Sequence, residues 1–141
     1  MTNFMKWFRR SNGNWTSSRR YLYGPKRKAD NYTTNFSVNT EGSHVSISWE
    51  GDASDGDMSM VIDGNLLKRD KGYFSDAPTN SDMTMIDDDT VVFVTSYDGV
   101  SYREEIRLLD NDSYRLRQTV ATKEDTNSVI IVGQYFEERV D

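Results

Sequence analysis

The chain has no cysteine and a single histidine, His44, among its 141 residues. Without cysteine there is no disulfide, no thiolate metal site and no cysteine nucleophile, so any thiol chemistry must use a partner's thiol. One imidazole removes most serine-hydrolase and multi-histidine metal designs, which need a base with its orienter or several ligands. In His44-Val-Ser-Ile-Ser-Trp49 the histidine shares its alternation face with Ser46 and Ser48, the pattern of a solvated strand residue. Phosphate-loop and dinucleotide glycine patterns are absent. No run approaches the ~20 apolar residues of a membrane helix, and no apolar signal region opens the chain. The chain is therefore expected in the cytoplasm, with no membrane contact, and its three Asn-x-Ser/Thr triplets at Asn14, Asn31 and Asn35 then carry no glycosylation meaning.

What is present points to strands. Apolar residues make up 35% of the chain, below the usual ~45–50%, yet aromatics reach 12%. A closed sheet around a polar-lined cavity reconciles many strand formers with few aliphatic residues. The length fits one domain, residues 1–141, because two separate cores would each be too small. Net charge is −6, but residues 1–30 carry eight Lys/Arg against Asp30, a balance of +7 that leaves −13 on the remaining 111 residues. Such a basic segment suits an acidic partner or ligand carboxylates, or simply a solvated face. The acidic remainder argues against nucleic acid.

Phe4, Met5, Trp7 and Phe8 recur at helical spacing and Ser11-Asn12-Gly13 ends the run, which predicts a short α-helix over about 3–11. Beyond it, from about 14 to 139, alternating runs centre near Arg19, Phe36, Ile47, Met60, Lys68, Met85, Val94, Ile106, Leu116 and Val132. Breaks at Asp63-Gly64-Asn65, Asp87-Asp88-Asp89, Asp98-Gly99 and Asp110-Asn111-Asp112 carry hairpin chemistry. The expected fold is all-β: ten antiparallel strands in an up-and-down order that close on themselves, which removes exposed edges.

Several residues are candidates for a site. Arg19 shares its face with Trp15, Ser17, Tyr21 and Tyr23, odd company for a solvent-facing arginine. Trp49 shares a face with Val45 and Ile47, and Tyr135, Glu137 and Arg139 repeat a mixed aromatic and charged face. Arg115 and Arg117 project from one face of their strand, and Glu105 and Arg107 from one face of the strand before it. On an ordinary barrel such residues face solvent or form surface ion pairs. Charges inside a barrel are costly unless paired or given a ligand. A flat conjugated ligand with carboxylates and pyrrole N–H groups would answer arginines, aromatics and acids together, although a fatty acid or another porphyrin-like anion fits the pattern too. The acid-rich run Gly51 to Asp57 lacks calcium-loop spacing and reads as a solvated turn. No metal site is expected.

The ordered segments Gly13-Asn-Trp-Thr-Ser-Ser-Arg19, Val45-Ser-Ile-Ser-Trp-Glu-Gly51, Leu67-Lys-Arg-Asp-Lys-Gly-Tyr73, Thr95-Ser-Tyr97, Tyr102-Arg-Glu-Glu105, Tyr114-Arg-Leu-Arg117 and Phe136-Glu-Glu-Arg139 resemble the S-type phycobiliprotein lyases over nearly the whole chain. The resemblance implies a ten-stranded barrel of the calycin type, akin to lipocalins and fatty-acid-binding proteins, with a short helix at its opening. It also implies bilin contacts for Arg19, Trp49, Glu105, Arg115, Arg117 and Glu137. Arginines would clamp the propionates. Glu105 would hydrogen-bond the pyrrole nitrogens as the candidate catalytic acid, the choice between it and Glu137 staying open.

By the same resemblance the chain would act as a chaperone-like lyase, joining a linear tetrapyrrole by a thioether bond to a cysteine of a phycobiliprotein subunit. Phycoerythrobilin is the implied substrate ligand, with no permanently bound cofactor, and phycoerythrin the implied acceptor. A bilin reductase could hand over the pigment, and a homodimer is compatible. Two departures, Ser18 in the opening motif and a short segment from Asp30 to Ser43, bear on which bilin is preferred. Two rivals remain: a lipocalin-like carrier that transfers nothing, and a ligand-free barrel whose basic N-terminal face docks an acidic protein.

Overall fold

The computed structural model describes residues 2–24, 28–52, 54–71 and 77–140. Lys26, Arg27 and the Gly72-Tyr73 end of the Leu67–Tyr73 motif lie outside the described residues. One helix, α1 (Asn3–Arg10), precedes ten strands: β1 (Gly13–Tyr23), β2 (Lys28–Glu41), β3 (His44–Gly51), β4 (Gly56–Asp63), β5 (Leu66–Arg69), β6 (Thr79–Asp87), β7 (Thr90–Tyr97), β8 (Val100–Leu109), β9 (Tyr114–Lys123) and β10 (Val129–Val140). Each strand pairs antiparallel with its sequence neighbour, and β1 pairs with β10 to close the barrel. All ten expected runs fall inside these strands, and the helix ends one residue earlier than expected.

Turn chemistry explains the meander. Asp98 and Gly99 both take positive φ, at 52° and 72°, the twist a two-residue hairpin needs between β7 and β8. Asp110, Asn111 and Asp112 are all left-handed between β8 and β9, a conformation short polar side chains tolerate.

The helix closes one end of the barrel. Thr2 caps it by accepting the Met5 N–H at 3.2 Å, and its apolar face drives Trp7 and Phe8 into the core beside Phe93. The Trp7 indole donates to the Asp89 carbonyl at 2.9 Å, and Arg10 binds the carboxylates of Asp112 and Asp89 at 2.7 and 2.6 Å. Those hydrogen bonds, Asp112 foremost, hold the Arg10 guanidinium well above its ordinary value despite partial burial. Arg139 donates to the carbonyls of Arg10, Asn12 and Asp112, so it fastens the end of α1 to the barrel.

Among its described residues, the basic opening segment therefore makes no single cationic face. Arg10 is spent on α1, Arg19 turns inward, and Lys6, Arg9 and Arg20 are exposed. His44 is exposed with Ser46 and Ser48, as its alternation predicted. No helix of the described residues is long and apolar enough to cross a membrane.

Candidate functional site

Strand register assembles a charged cluster inside the barrel. Arg19 on β1 faces Tyr135 on β10, which faces Arg117 on β9. Next to this row, Ser17, Glu137 and Arg115 form a second across the same strands. A third runs Tyr21, Gly133, Thr119 and Glu104 from β1 to β8. Period-2 alternation turns all of these positions inward, because each shares a strand face with buried apolar neighbours.

Glu104 is 2% exposed and Glu137 fully buried. Arg117 donates to Glu104 Oε2 from Nε at 2.9 Å and from Nη2 at 2.7 Å, and the Thr119 hydroxyl reaches the same oxygen at 3.3 Å. Arg69, on β5, approaches Glu104 Oε1 at 4.0 Å and donates to the Ser81 hydroxyl at 2.8 Å. Glu137 Oε1 accepts from Arg115 Nε at 3.0 Å. Among the described residues its Oε2 has no hydrogen-bond partner, although Arg19 and Arg117 stand 3.9 and 4.0 Å away. Each buried carboxylate thus sits among two or three guanidinium groups. Among the described residues the cluster holds four arginines and two glutamates, an excess of two positive charges.

The electrostatics follow from burial and pairing. Burial pushes the Glu104 carboxyl up, but Arg117 and Arg69 outweigh it and leave the group below its ordinary value. Burial likewise works against the Arg117 charge, and Glu104 more than restores it. Arg115 ends below its ordinary value, because burial exceeds the help from Glu137. Tyr135, buried beneath Arg117, is pushed well up by burial, with Arg117 opposing.

Aromatic rings surround the charges. The Arg117 guanidinium lies 4.4 Å from the Tyr135 ring centre, and Arg115 lies 5.5 and 5.4 Å from Trp15 and Phe36. Tyr21 meets Tyr23, Tyr32 and Tyr135 at 6.3, 5.7 and 5.6 Å, an aromatic wall continuing up β1 and β2. Trp49 packs over Gly56, where an added Cβ would come within 2.6 Å of the indole. Between these walls lies a cavity of about 110 Å³ reached by Arg19, Phe36, Trp49, Arg69, Glu104, Arg115 and Arg117, with Trp7 and Phe8 of α1 at one side.

The structure brings together five of the six expected residues: Arg19, Trp49, Arg115 and Arg117 line the cavity, and Glu137 binds their guanidinium groups from behind. Glu105 is a correction. It points outward, 3.8 Å from Arg103 on the same strand and beside Arg107, Leu116 and Phe136 of an outer surface groove. The inward carboxylate of the pair is Glu104. A signal for it stood in the sequence: Tyr102, Glu104, Ile106 and Leu108 share one alternation face, whereas Glu105 keeps company with Arg103 and Arg107. Arg69 was also passed over, although it lies two residues from Leu67, which is buried on the same face.

A family model described as CpeS-like protein matches residues 53–140. A provisionally named phycocyanobilin lyase, CpcS 2, from Nostoc sp. strain PCC 7120 is 30% identical over 87 residues, covering 62% of this chain and 47% of that protein. A provisionally named chromophore lyase, CpcV, from Picosynechococcus sp. strain PCC 7002 is 31% identical over 85 residues, covering 60% and 41%. The matched stretch is thus under half the length of either relative. In fold, the chain superposes on an S-type phycobiliprotein lyase, CPES from Guillardia theta, with TM-score 0.78 at 19% identity, over 99% of this chain and 94% of that one.

Proposed function

From the premise that this chain belongs to the CpeS-like protein family, we propose that it binds a linear tetrapyrrole inside the barrel and attaches it to a cysteine of a phycobiliprotein subunit. One observation carries the reading: two buried glutamates, each set among arginines, leave an interior with two positive charges to spare among the described residues. A pigment bearing two propionates neutralises that excess. Guanidinium forks suit carboxylates, aromatic walls suit a conjugated plane, and an acid with an open lone pair suits pyrrole N–H groups. Glu137 Oε2, which has no hydrogen-bond partner among the described residues, is such an acceptor.

The roles follow from position. Arg19 and Arg115 hold one propionate and Arg69 and Arg117 the other, while Glu104 fixes the Arg117 fork and Trp49 stacks on the pigment. The chain contributes no nucleophile, having no cysteine. The acceptor thiol supplies it: its sulfur bonds to the exocyclic carbon of the ethylidene, the double-bond electron pair takes up a proton at the adjacent ring carbon, and no group leaves. The barrel's contribution is to orient the pigment and exclude water.

Phycoerythrobilin is the proposed pigment and a phycoerythrin subunit the proposed acceptor. The names of the two curated relatives favour testing phycocyanobilin and other acceptors beside them. Co-expression with bilin-synthesis enzymes and separate antenna subunits tests the reading. Covalent fluorescence on one subunit, dependent on this chain, is expected. Pigment bound by the chain but transferred to no subunit would leave a carrier instead.

A further inference from the structure

The pigment-free barrel has its own electrostatic problem. The cavity of about 110 Å³ is well below the ~300–1,000 Å³ of pockets for larger organic ligands, so a tetrapyrrole enters only when lining side chains move. A guanidinium is always charged, and burying charge without a counter-ion is expensive. Two of them, Arg115 and Arg19, keep N–H groups unspent among the described residues. Arg115 is 5% exposed and spends Nε on Glu137, and among the described residues both terminal nitrogens are without a hydrogen bond. Arg19 spends Nε on the Ser17 hydroxyl at 3.1 Å, and its nearest carboxylate oxygen is 3.9 Å off. Both guanidinium groups converge on the Phe36 ring, at 6.0 and 5.4 Å from its centre, and both line the cavity.

We propose that this Arg19–Arg115 pocket over Phe36 is an anion site of the resting protein, which takes a small inorganic oxyanion of the phosphate or sulfate type that the pigment's carboxylate later displaces. The clause about displacement rests on the function proposed above; the anion site itself does not. Two forks that line one cavity and carry unspent N–H groups suit the oxygens of a tetrahedral oxyanion, as they would a carboxylate. The Glu137 carboxylate nearby does not forbid this, because Oε1 is bound by Arg115 and Oε2 stands between Arg19 and Arg117. Burial that pulls the Arg115 guanidinium below its ordinary value is relieved by a bound anion in the same way. The Arg19 and Arg117 side chains retain 17% and 19% exposure, so the pocket stays reachable by a small ion while α1 is docked.

Three consequences are measurable on the full chain without pigment. Inorganic phosphate should raise the melting temperature saturably, beyond sodium chloride at equal ionic strength. Arg19→Gln should weaken that phosphate affinity by about 10- to 100-fold, the loss of charge-assisted bonds. Arg20→Gln, the outward neighbour on β1, should leave it unchanged. Should Arg19→Gln fail to fold, Arg19→Lys, which keeps the charge and loses the fork, carries the same comparison. A phosphate effect that is absent, or equal in the Arg19 and Arg20 variants, means an adventitious ion only and overturns the site. With pigment present, phosphate at roughly ten times its own dissociation constant should raise the apparent pigment constant about 11-fold by competition. Phosphate binding without any pigment uptake would overturn the proposed function and leave the anion site standing, whereas pigment uptake indifferent to phosphate would overturn the displacement and leave the proposed function standing.

Discussion

Arg117 grips a single oxygen of Glu104 with two nitrogens, Nε at 2.9 Å and Nη2 at 2.7 Å, and both side chains stand inside the barrel. Removing one member of such a pair leaves the other charge buried and uncompensated, an effect of about 3–5 kcal/mol. Glu104→Gln should therefore lower unfolding stability by about that much, read as a shift of the urea midpoint at unchanged slope. Glu105→Gln, on the outer face, should fall within about 0.5 kcal/mol of the wild type.

Acid should undo the same pair. Because the folded state holds the Glu104 carboxyl below its ordinary value of 4.5, the unfolded chain binds the proton first as pH falls. The contribution is fully present above that ordinary value and is lost as pH drops through the folded one. Urea midpoints measured from neutral pH downward should decline in the wild type below about pH 4.5, with a shallower decline in Glu104→Gln.

Gly133 makes room for Tyr135. A Cβ there would sit 2.6 Å from the Tyr135 hydroxyl, whose ring lies beneath the Arg117 guanidinium. Gly133→Ala should displace the ring, at about 1–3 kcal/mol for the overpacking, and weaken pigment binding. The check is a bilin titration alongside near-UV circular dichroism.

Entry of a ligand larger than the cavity requires a wall to move, and α1 is the one wall element that is not part of the sheet among the described residues. One of its tethers is the partly exposed contact of Arg10 with Asp112 and Asp89. Asp112→Asn weakens it by about 0.5–1 kcal/mol, so stopped-flow absorbance should register bilin association about 2- to 5-fold faster. An unchanged rate would place entry elsewhere.

The fold was legible because its signals are local. Each of the ten strands carries its own alternation, and the breaks at Asp98-Gly99 and Asp110-Asn111-Asp112 carry the residues that positive φ demands. Arg19 was legible as inward because Trp15, Ser17, Tyr21 and Tyr23 share its face. Arg115 and Arg117 were ambiguous, since two arginines on one face read equally as solvated, and only cross-strand register sets them beside Glu137 and Tyr135. Glu105 was misplaced through a motif match one position out of phase, and in a strand one position reverses the face. Arg69 was missed because its partner Glu104 is 35 positions further along the chain. No local pattern records that distance.

The most direct test of an interior pigment site is a spectrophotometric titration of the purified protein with phycoerythrobilin and, in parallel, phycocyanobilin, comparing wild type, Glu104→Gln and Glu105→Gln. A saturable one-to-one spectral shift in the wild type, kept by the outward variant and reduced about tenfold or more in affinity by the inward one, is the predicted result. No shift with either pigment, or equal loss in both variants, would contradict it.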